Sequence, residues 1–351
     1  LDEKIKIMHT GEDKGAQFAW TVFANTAIYA ANRIPEIADD IVNIDNAVKW
    51  GFAWEIGIFE QWDLLGFGAV CERMQKDGLK LPPIVDTMKS AGADSFYKFD
   101  GGKQQYFDVA SKTYKPVPQN PNVVSLPALK KNNKIVKENE SASLIDIGDG
   151  IICCEFHTKM NSIDAGMGEM IQEMTQLLND GKFEGGVIGN QAEHFCAGAN
   201  VFLILGEAMQ KNWDNIDKAV NDLQQVLMGV RFCRRPIVTA PHHFTLGGGC
   251  EIAQAGARAV IAGETYGGLV EVGVGLVPGG GGCKELLRRA HKYVPEGISD
   301  VELFPFVQRA FENIALAKVS TSGAEMIQNG HLDENDIVCP SFDQQIKRAK
   351  D

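Results

Sequence analysis

Leu246-Gly247-Gly248-Gly249-Cys250-Glu251 is the most informative stretch of this sequence. It is followed by Gly267-Gly268-Leu269-Val270-Glu271 and then by Val277-Pro278-Gly279-Gly280-Gly281-Gly282. The two carboxylates, Glu251 and Glu271, each come just after glycines. Glycine has no Cβ, so its backbone can approach a ligand closely. The pattern therefore predicts a site where backbone groups and two carboxylates meet one ligand.

A helix is predicted from Cys250 to Ala259, because this segment contains no proline. Gly248 would lie at its N-terminus, where backbone N–H groups lack intrahelical acceptors and the helix dipole favours negative charge. A free N–H beside a carboxylate can polarise a carbonyl and help to move a proton. The competing interpretation is that Gly247 to Gly249 only let the helix pack tightly on a strand, with both glutamates solvated.

Length and composition set the limits of the interpretation. The chain has 351 residues, longer than most single domains, so two domains are expected. A net charge of −12 disfavours a nucleic-acid partner, because phosphate binding requires a basic field. No apolar run reaches the roughly 20 residues of a membrane span. The eight cysteines form no C-x-x-C pair, which favours structural thiols in a reducing compartment and hence a cytoplasmic protein.

Residues 1–118 have the pattern of a small helical domain. The first ten residues form a charged, strand-like run, and helices are expected at 15–34, from Asp39 or Asp40 to Trp50, at 59–65, at 69–76 and from Pro82-Pro83 onward. Asp100-Gly101-Gly102 joins two aromatic-rich runs as a hairpin. Four tryptophans are expected in the core: Trp20, Trp50, Trp54 and Trp62.

Residues 119–141 are predicted to be a linker, because prolines precede a lysine-rich, charged run. The lysines are interpreted as a solvated face, with contact to a CoA phosphate as a minor alternative. From residue 142 to residue 351, strand-like and helical patterns alternate. That order predicts a layered α/β domain.

Residues 142 to about 340 resemble the enoyl-CoA hydratase/isomerase (crotonase) superfamily. Three motifs carry the resemblance, in the same order and with similar gaps: Phe195-Cys196-Ala197-Gly198-Ala199-Asn200, Leu246 to Glu251, and Glu271 followed by Gly273 to Gly279. The resemblance implies a crotonase-like α/β fold of stacked ββα turns. It also implies that two backbone N–H groups hold a thioester carbonyl.

Position by position, the resemblance implies roles for individual residues. The oxyanion donors would be the N–H groups of Ala199 and Gly248, and the catalytic pair would be Glu251 and Glu271. The backbone of Ala197 would meet the CoA adenine. Having both glutamates favours the addition of water to a trans-2-enoyl-CoA, which gives a 3-hydroxyacyl-CoA. No metal ion and no other cofactor is required for this reaction.

The sequence departs from the hydratase pattern at three places. Val270 stands where proline usually precedes the second glutamate, which bears on how Glu271 is aimed. His242-His243-Phe244 replaces the usual Asn-Gly segment and reshapes the expected acyl pocket. Asn200 replaces the aspartate that usually follows the first oxyanion residue. A metal site at His242 and His243 is disfavoured, because no third ligand lies nearby in sequence.

The first domain resembles the helical C-terminal domain of 3-hydroxyacyl-CoA dehydrogenases. The similar segments are Asn32-Arg33, Ile44 to Phe52 and Gly57 to Gly66. In that family a Rossmann domain precedes this one and binds NAD, but this chain has no G-x-G-x-x-G motif. The whole resembles an excerpt of a dehydrogenase–hydratase fusion, and NAD would act only through a domain absent from this chain.

Three functions remain open at this point. The first is enoyl-CoA hydration in fatty-acid β-oxidation. The second is isomerisation of a 3-enoyl-CoA to a 2-enoyl-CoA, which needs one carboxylate. The third is a non-catalytic fragment used for docking or oligomerisation. A serine hydrolase is disfavoured because no G-x-S-x-G elbow is present. Acyl-CoA is the expected small-molecule partner, and a homo-oligomer is expected.

Overall fold

The computed structural model describes residues 1–100, 103–118, 120–295, 297 and 301–351. The chain divides into two compact units, Leu1–Gln119 and Asn120–Asp351.

The first unit is mostly helical. Its helices are α1 (Asp2–Thr10), α2 (Lys14–Ala31), α3 (Ile41–Phe52), α4 (Ile58–Leu65), α5 (Phe67–Lys76) and α6 (Pro83–Ser90). The five helices predicted from the sequence are confirmed as α2 to α6. The strand-like interpretation of the first ten residues is wrong, because they form α1, which buries Ile5 and His9. The periodicity of so short a charged segment does not distinguish a strand from a helix.

A three-stranded antiparallel sheet completes this unit: β1 (Tyr97–Asp100), β2 (Lys103–Asp108) and β3 (Thr113–Pro116). Tyr97 pairs with Tyr106, as a hairpin between the two aromatic runs requires. The turn residues Gly101 and Gly102 lie outside the described residues.

Aromatic side chains fill the core of the first unit. Phe59, Trp62 and Phe96 are fully buried, and the ring centroid of Phe96 lies 4.8 Å from that of Phe59 and 5.2 Å from that of Trp62. The prediction that Trp50 and Trp54 belong to this core is wrong, since they are 72% and 41% exposed. Trp50 lies in the last turn of α3, and Trp54 follows just after the end of this helix.

Asp45 connects three elements of the first unit. Its carboxylate accepts hydrogen bonds from the Phe59 N–H at 2.9 Å, the Glu60 N–H at 3.2 Å and the Tyr97 hydroxyl at 2.9 Å. Asp45 is fully buried, and burial raises its pKa to about 6. The first N–H groups of a helix have no intrahelical acceptor, so this carboxylate supplies the missing acceptors of α4 from a distant part of the chain.

Asp45→Ala is expected to destabilise the first unit by about 3 kcal/mol, because one buried and two part-buried donors lose their acceptor. Urea unfolding followed by tryptophan fluorescence tests this, since four of the five tryptophans lie in this unit. Asp39→Ala, which removes an exposed carboxylate just before α3, is the matched control. Equal unfolding midpoints for the two variants would contradict the assignment.

The second unit begins before the predicted α/β domain does. Leu126–Lys131 forms α7, in which Leu126 is fully buried, and Ile135–Glu138 forms β4, which pairs with the next strand. The prediction of a linker over 119–141 is therefore wrong. Lysines at exposed positions made this segment resemble a solvated connection, although its apolar residues pack on the domain.

The remaining elements alternate as the pattern predicted. The strands are β5 (Ala142–Asp146), β6 (Ile151–Phe156), β7 (Gly185–Ile188), β8 (Ile237–Thr239), β9 (His243–Leu246), β10 (Arg258–Ala262), β11 (Thr265–Gly268) and β12 (Ile337–Cys339). The helices are α8 (Ala165–Asn179), α9 (Val201–Met209), α10 (Trp213–Arg231), α11 (Gly248–Ala255), α12 (Gly282–His291), α13 (Phe304–Ala315), α14 (Gly323–Gln328) and α15 (Gln345–Lys350).

The described strands form a main sheet in the order β12-β10-β8-β7-β6-β5-β4. The pairs from β6 to β12 are parallel, and β4, β5 and β6 are antiparallel. A second, two-stranded parallel sheet joins β9 to β11, with Gly268 opposite Leu246. This register places the ends of β9 and β11 side by side, so the segments that lead to Glu251 and Glu271 start from neighbouring points.

Helix α11 is shorter than the sequence predicted. It ends at Ala255, and Arg258–Ala262 becomes β10, which pairs in parallel with β8. A Cβ at Gly256 would lie 2.9 to 3.1 Å from atoms of Thr239, Arg258 and Ile237, so the chain turns there with no room for a side chain. All eight cysteines are free thiols. Within the described part of the chain, no helix is both long and apolar enough to cross a membrane.

Candidate active site

The loop Cys196–Ala199 lies beside the end of β9. The Cys196 N–H donates to the Phe244 carbonyl at 3.0 Å, and the Leu246 N–H donates to the Cys196 carbonyl at 3.0 Å. A Cβ at Gly249 would lie only 2.3 Å from the Cys196 oxygen. Only glycine at position 249 therefore lets the two segments approach this closely.

This approach brings the backbone of Ala199 close to that of Gly248. A Cβ added at Gly198, which has a φ of +91°, would lie 3.4 Å from the Gly248 nitrogen. A Cβ added at Gly248 would lie 3.8 Å from the Ala199 nitrogen. Among the hydrogen bonds of the described residues, neither N–H has an acceptor. Two unused backbone donors thus lie together at the start of α11.

Glu251 is held in the first turn of α11 with 4% of its surface exposed. Its Oε1 accepts the Gly282 N–H at 2.8 Å, and a Cβ at Gly280 would lie 2.5 Å from its Oε2. Burial raises the pKa of Glu251, while hydrogen bonds from the backbone of Gly280 to Gly282 oppose that rise. The sequence showed this glycine run without revealing its function, which is to surround the Glu251 carboxylate with N–H donors.

Glu271 follows β11 and begins a short 3₁₀ turn. A Cβ at Gly247 would lie 3.3 Å from its Oε1, and its Oε2 is buried with no hydrogen-bond partner in the described part of the chain. Burial raises its pKa from the usual 4.5 to about 7, and the Glu251 carboxylate adds to the rise. Two carboxyls that influence each other in this way do not ionise independently.

The raised pKa of Glu271 makes stability depend on pH. The folded state holds the Glu271 proton more tightly than the unfolded chain does. The stability that this proton contributes is therefore fully present below about pH 4.5 and is lost as the pH rises through about 7. Glu271→Gln removes this pH-dependent loss of stability, because a glutamine side chain does not ionise. After solvent screening we expect the variant to be more stable than the parent by about 1–2 kcal/mol at pH 8 and equal to it near pH 4.

Urea unfolding at several pH values measures this difference. Glu264→Gln changes an exposed glutamate between β10 and β11 and is the matched control. This variant should show no gain in stability over the parent at pH 8. A Glu271→Gln curve parallel to the parent from pH 4 to pH 8 would show that Glu271 is not the buried carboxyl that the structure describes.

The other predicted positions lie around these four. Ala197 is half-buried, its N–H donates to the Met160 carbonyl at 3.2 Å, and no described donor reaches its own carbonyl. Asn200 caps α9, accepting the Phe202 N–H at 3.1 Å, a task that the usual aspartate would also perform. Val270 directly precedes the 3₁₀ turn that carries Glu271.

The histidines at 242 and 243 are not arranged as metal ligands. The His243 Nδ1 lies 2.8 Å from the His194 Nδ1, and the two rings stack with centroids 4.7 Å apart. His242 is buried, with its Nε2 3.0 Å from the Ala192 carbonyl. No group of three or more His, Cys, Asp or Glu residues that could hold a metal ion occurs within the described ranges.

A cavity of about 370 Å³ adjoins one side of this cluster. Glu251, Gly280 and Gly281 line it, together with residues of α10 that include Leu227 and Met228. Of the four predicted positions, Glu251 is thus the one that lines this cavity.

Comparison with known proteins agrees with this architecture. Residues 146–298 match the family model described as enoyl-CoA hydratase/isomerase. A crystal structure of a protein provisionally titled an enoyl-CoA hydratase, from Streptomyces coelicolor A3(2), superposes with a TM-score of 0.51 at 18% identity. The match covers 61% of this chain and 74% of that one. Residues 146–298 therefore belong to the enoyl-CoA hydratase/isomerase family, and the predicted crotonase-like α/β fold, preceded by a helical region, is confirmed.

Two curated relatives extend the comparison to the rest of the chain. A Bacillus subtilis protein described as a probable 3-hydroxyacyl-CoA dehydrogenase is 37% identical over 351 residues, 99% of this chain and 43% of the relative. A Rickettsia felis protein named provisionally as a fatty acid oxidation complex trifunctional enzyme is 29% identical over 267 residues, 75% of this chain and 33% of the relative. The chain thus spans less than half the length of these relatives.

Proposed function

We propose that the second unit adds water to a trans-2-enoyl-CoA and forms a 3-hydroxyacyl-CoA. The observation that carries the proposal is the convergence of two carboxyls, Glu251 and Glu271, on two unused backbone N–H groups, Ala199 and Gly248. Membership of residues 146–298 in the enoyl-CoA hydratase/isomerase family supports a thioester as the substrate.

The two N–H groups would bind the thioester oxygen. Addition of a hydroxyl group at C3 moves electrons through the alkene and builds enolate charge on that oxygen. Preorganised donors stabilise this charge without reorganising, and the loss of one such donor typically costs about 10²–10³ in rate. The N-terminus of α11 adds its positive dipole end at the same place.

The two glutamates would divide the proton transfers. Glu251 accepts N–H bonds that favour its ionised form, so it is assigned as the base that takes a proton from water as the oxygen bonds to C3. Glu271, with a pKa raised to about 7, is assigned as the acid that protonates C2. The proton gained by Glu251 then returns to Glu271 through solvent before the next turnover.

Hydration of crotonyl-CoA by the 351-residue chain, measured as loss of the conjugated enone absorbance, tests the proposal. A matched assay with a 3-enoyl-CoA separates hydration from double-bond isomerisation, because the latter would instead create the conjugated absorbance. Tight binding of crotonyl-CoA without turnover would favour the non-catalytic docking fragment and reject the enzyme.

The relatives' names support a wider proposal for the full-length protein. We propose that hydration here is one step of fatty-acid β-oxidation and that the longer protein also oxidises the resulting 3-hydroxyacyl-CoA. That oxidation would use NAD bound by a region outside this chain. Ala197 would contact the adenine of the CoA substrate through its backbone.

A further inference from the structure

A second cavity, of about 300 Å³, lies at the C-terminal end of α11. It is rich in cationic side chains, and its charged lining residues are Arg231, Arg258, Arg288, Arg289, Lys292, Asp333 and Asp336. Helix α11 rises about 10 Å from Gly248 to Ala255. This cavity is therefore at the opposite end of the helix from the two backbone donors of the proposed active site.

Arg289 is the central residue of this cavity. Only 6% of it is exposed, and its Nη2 donates to the Gln254 carbonyl at 3.3 Å. Its Nε has no hydrogen-bond acceptor in the part of the chain that the structure describes, whereas its Nη1 forms an ion pair with the Glu285 Oε2 at 3.3 Å. A hydrogen bond that a buried charged group fails to make costs free energy, because the group has left water without gaining a partner. One buried guanidinium donor, the Nε of Arg289, is thus available for an acceptor among the described residues.

The acidic groups nearby are already engaged. The Glu285 Oε2 lies 2.8 Å from Arg231, 3.1 Å from Arg288 and 3.3 Å from Arg289, so one carboxylate serves three guanidinium groups. Counting this carboxylate, five lining cations face three carboxylates, which leaves a local excess of positive charge.

The two lining aspartates are also occupied. Asp333 pairs with Lys292, and Asp336 accepts the Ala259 N–H at 2.7 Å and the Asp333 N–H at 2.6 Å. Arg258 is exposed at the rim and has no ion-pair partner within the described residues. The unpaired positive charge therefore lies at Arg258 and around the free face of Arg289.

We propose that this cavity binds an oxyanion of the phosphate class through Arg289 and Arg258. Guanidinium groups match the geometry of phosphate oxygens and bind them with paired, charge-assisted hydrogen bonds. A bound dianion would accept from the Arg289 Nε and from the Arg258 guanidinium, and it would offset the local positive excess. The volume accommodates inorganic phosphate as well as the phosphate of a monoester, and the shared chemistry is the tetrahedral oxyanion.

Isothermal titration of the 351-residue chain with sodium phosphate, at constant ionic strength, tests the proposal. Saturable binding is expected in the parent chain. Arg258→Ala should weaken it about tenfold or more, in line with the loss of a charge-assisted hydrogen bond. Arg234→Ala, at an exposed arginine outside the cavity, is the matched control and should leave the affinity unchanged.

A second variant tests the buried donor. Arg289→Gln should abolish phosphate binding, and circular dichroism establishes whether the variant is folded. If it does not fold, Arg288→Ala replaces it, since Arg288 is a partly exposed residue of the same cavity and its loss should also weaken binding.

Titration with adenosine monophosphate distinguishes the two sources of the oxyanion. Tighter binding than that of phosphate supports an esterified ligand, and equal or weaker binding supports the free anion. Absence of saturable binding for both probes overturns the proposal, as does phosphate binding that Arg258→Ala leaves unchanged. The latter result would indicate an unspecific surface ion and a cavity filled by water.

Discussion

Glu251→Gln is expected to reduce kcat/KM for crotonyl-CoA hydration by about 10³ or more, because the variant has no base to take the proton from water. The glutamine oxygen can still accept the Gly282 N–H, so the local structure should persist. The loss would then lie in chemistry rather than folding, with kcat reduced and KM for crotonyl-CoA nearly unchanged.

Glu271→Gln is expected to cause a loss of similar size, because an amide cannot deliver a proton to C2. The double variant should be little worse than either single one, since residues that act as a unit lose their contributions together. In the parent chain, kcat/KM should fall above about pH 7, as Glu271 loses its proton. Glu264→Gln, at an exposed residue, is the control and should keep the parent rate.

The same pair of variants separates the two chemical alternatives. An isomerase needs one carboxylate, so one of the two variants would keep its activity on a 3-enoyl-CoA. Retention of full hydration by the double variant would remove the carboxylates from the mechanism and with them the proposed function.

Gly249→Ala is expected to lower hydration at least 10²-fold and to destabilise the second unit by about 1–3 kcal/mol. The new methyl group would lie 2.3 Å from the Cys196 oxygen and 2.8 Å from its Cβ. One of these contacts is to backbone, so the loop must move instead of a side chain. That movement would separate the N–H groups of Ala199 and Gly248, although neither residue is changed.

Gly206→Ala is the matched control for this substitution. Gly206 lies within α9, where a Cβ meets nothing within 4 Å, so alanine should be neutral or slightly stabilising there. Steady-state kinetics and urea unfolding of both variants provide the two measurements. Parent-like activity in Gly249→Ala would show that the close approach of the two loops is not needed.

Elements whose signals are local were predictable from the sequence. Helices α2 to α6 in the first unit have apolar periodicity, prolines or glycines at their ends, and aspartate caps such as Asp13 and Asp40. In the second unit, the alternation of strand and helix patterns from β5 onward was equally visible in the sequence. These signals act over a few residues, so they can be recognised without knowledge of the tertiary contacts.

Elements that depend on distant partners were not predictable. Helix α11 ends at Ala255 because β10 must pair with β8, and this pairing overrides local helix propensity. The segment taken for a linker buries Leu126 in the second unit. Trp50, in the last turn of α3, and Trp54, just after this helix, are exposed, and a tryptophan alone does not report its surroundings.

The sequence alone determined which groups are available to the chemistry: two glutamates behind glycine runs, and small residues at 197–199 and 247–249 that permit close backbone contact. The order of the three motifs along the chain also indicated the family to which residues 146–298 belong. These are properties of residue type and spacing, which folding does not alter.

Only the tertiary structure decided how those groups differ. Glu251 and Glu271 are the same residue type, yet one is surrounded by the N–H groups of Gly280 to Gly282 and the other has a buried oxygen with no hydrogen-bond partner among the described residues. The buried face of Arg289 at the far end of α11 was likewise invisible in the sequence. Desolvation and hydrogen bonding depend on segments that are distant along the chain, and so charge and proton affinity are set only once those segments have come together.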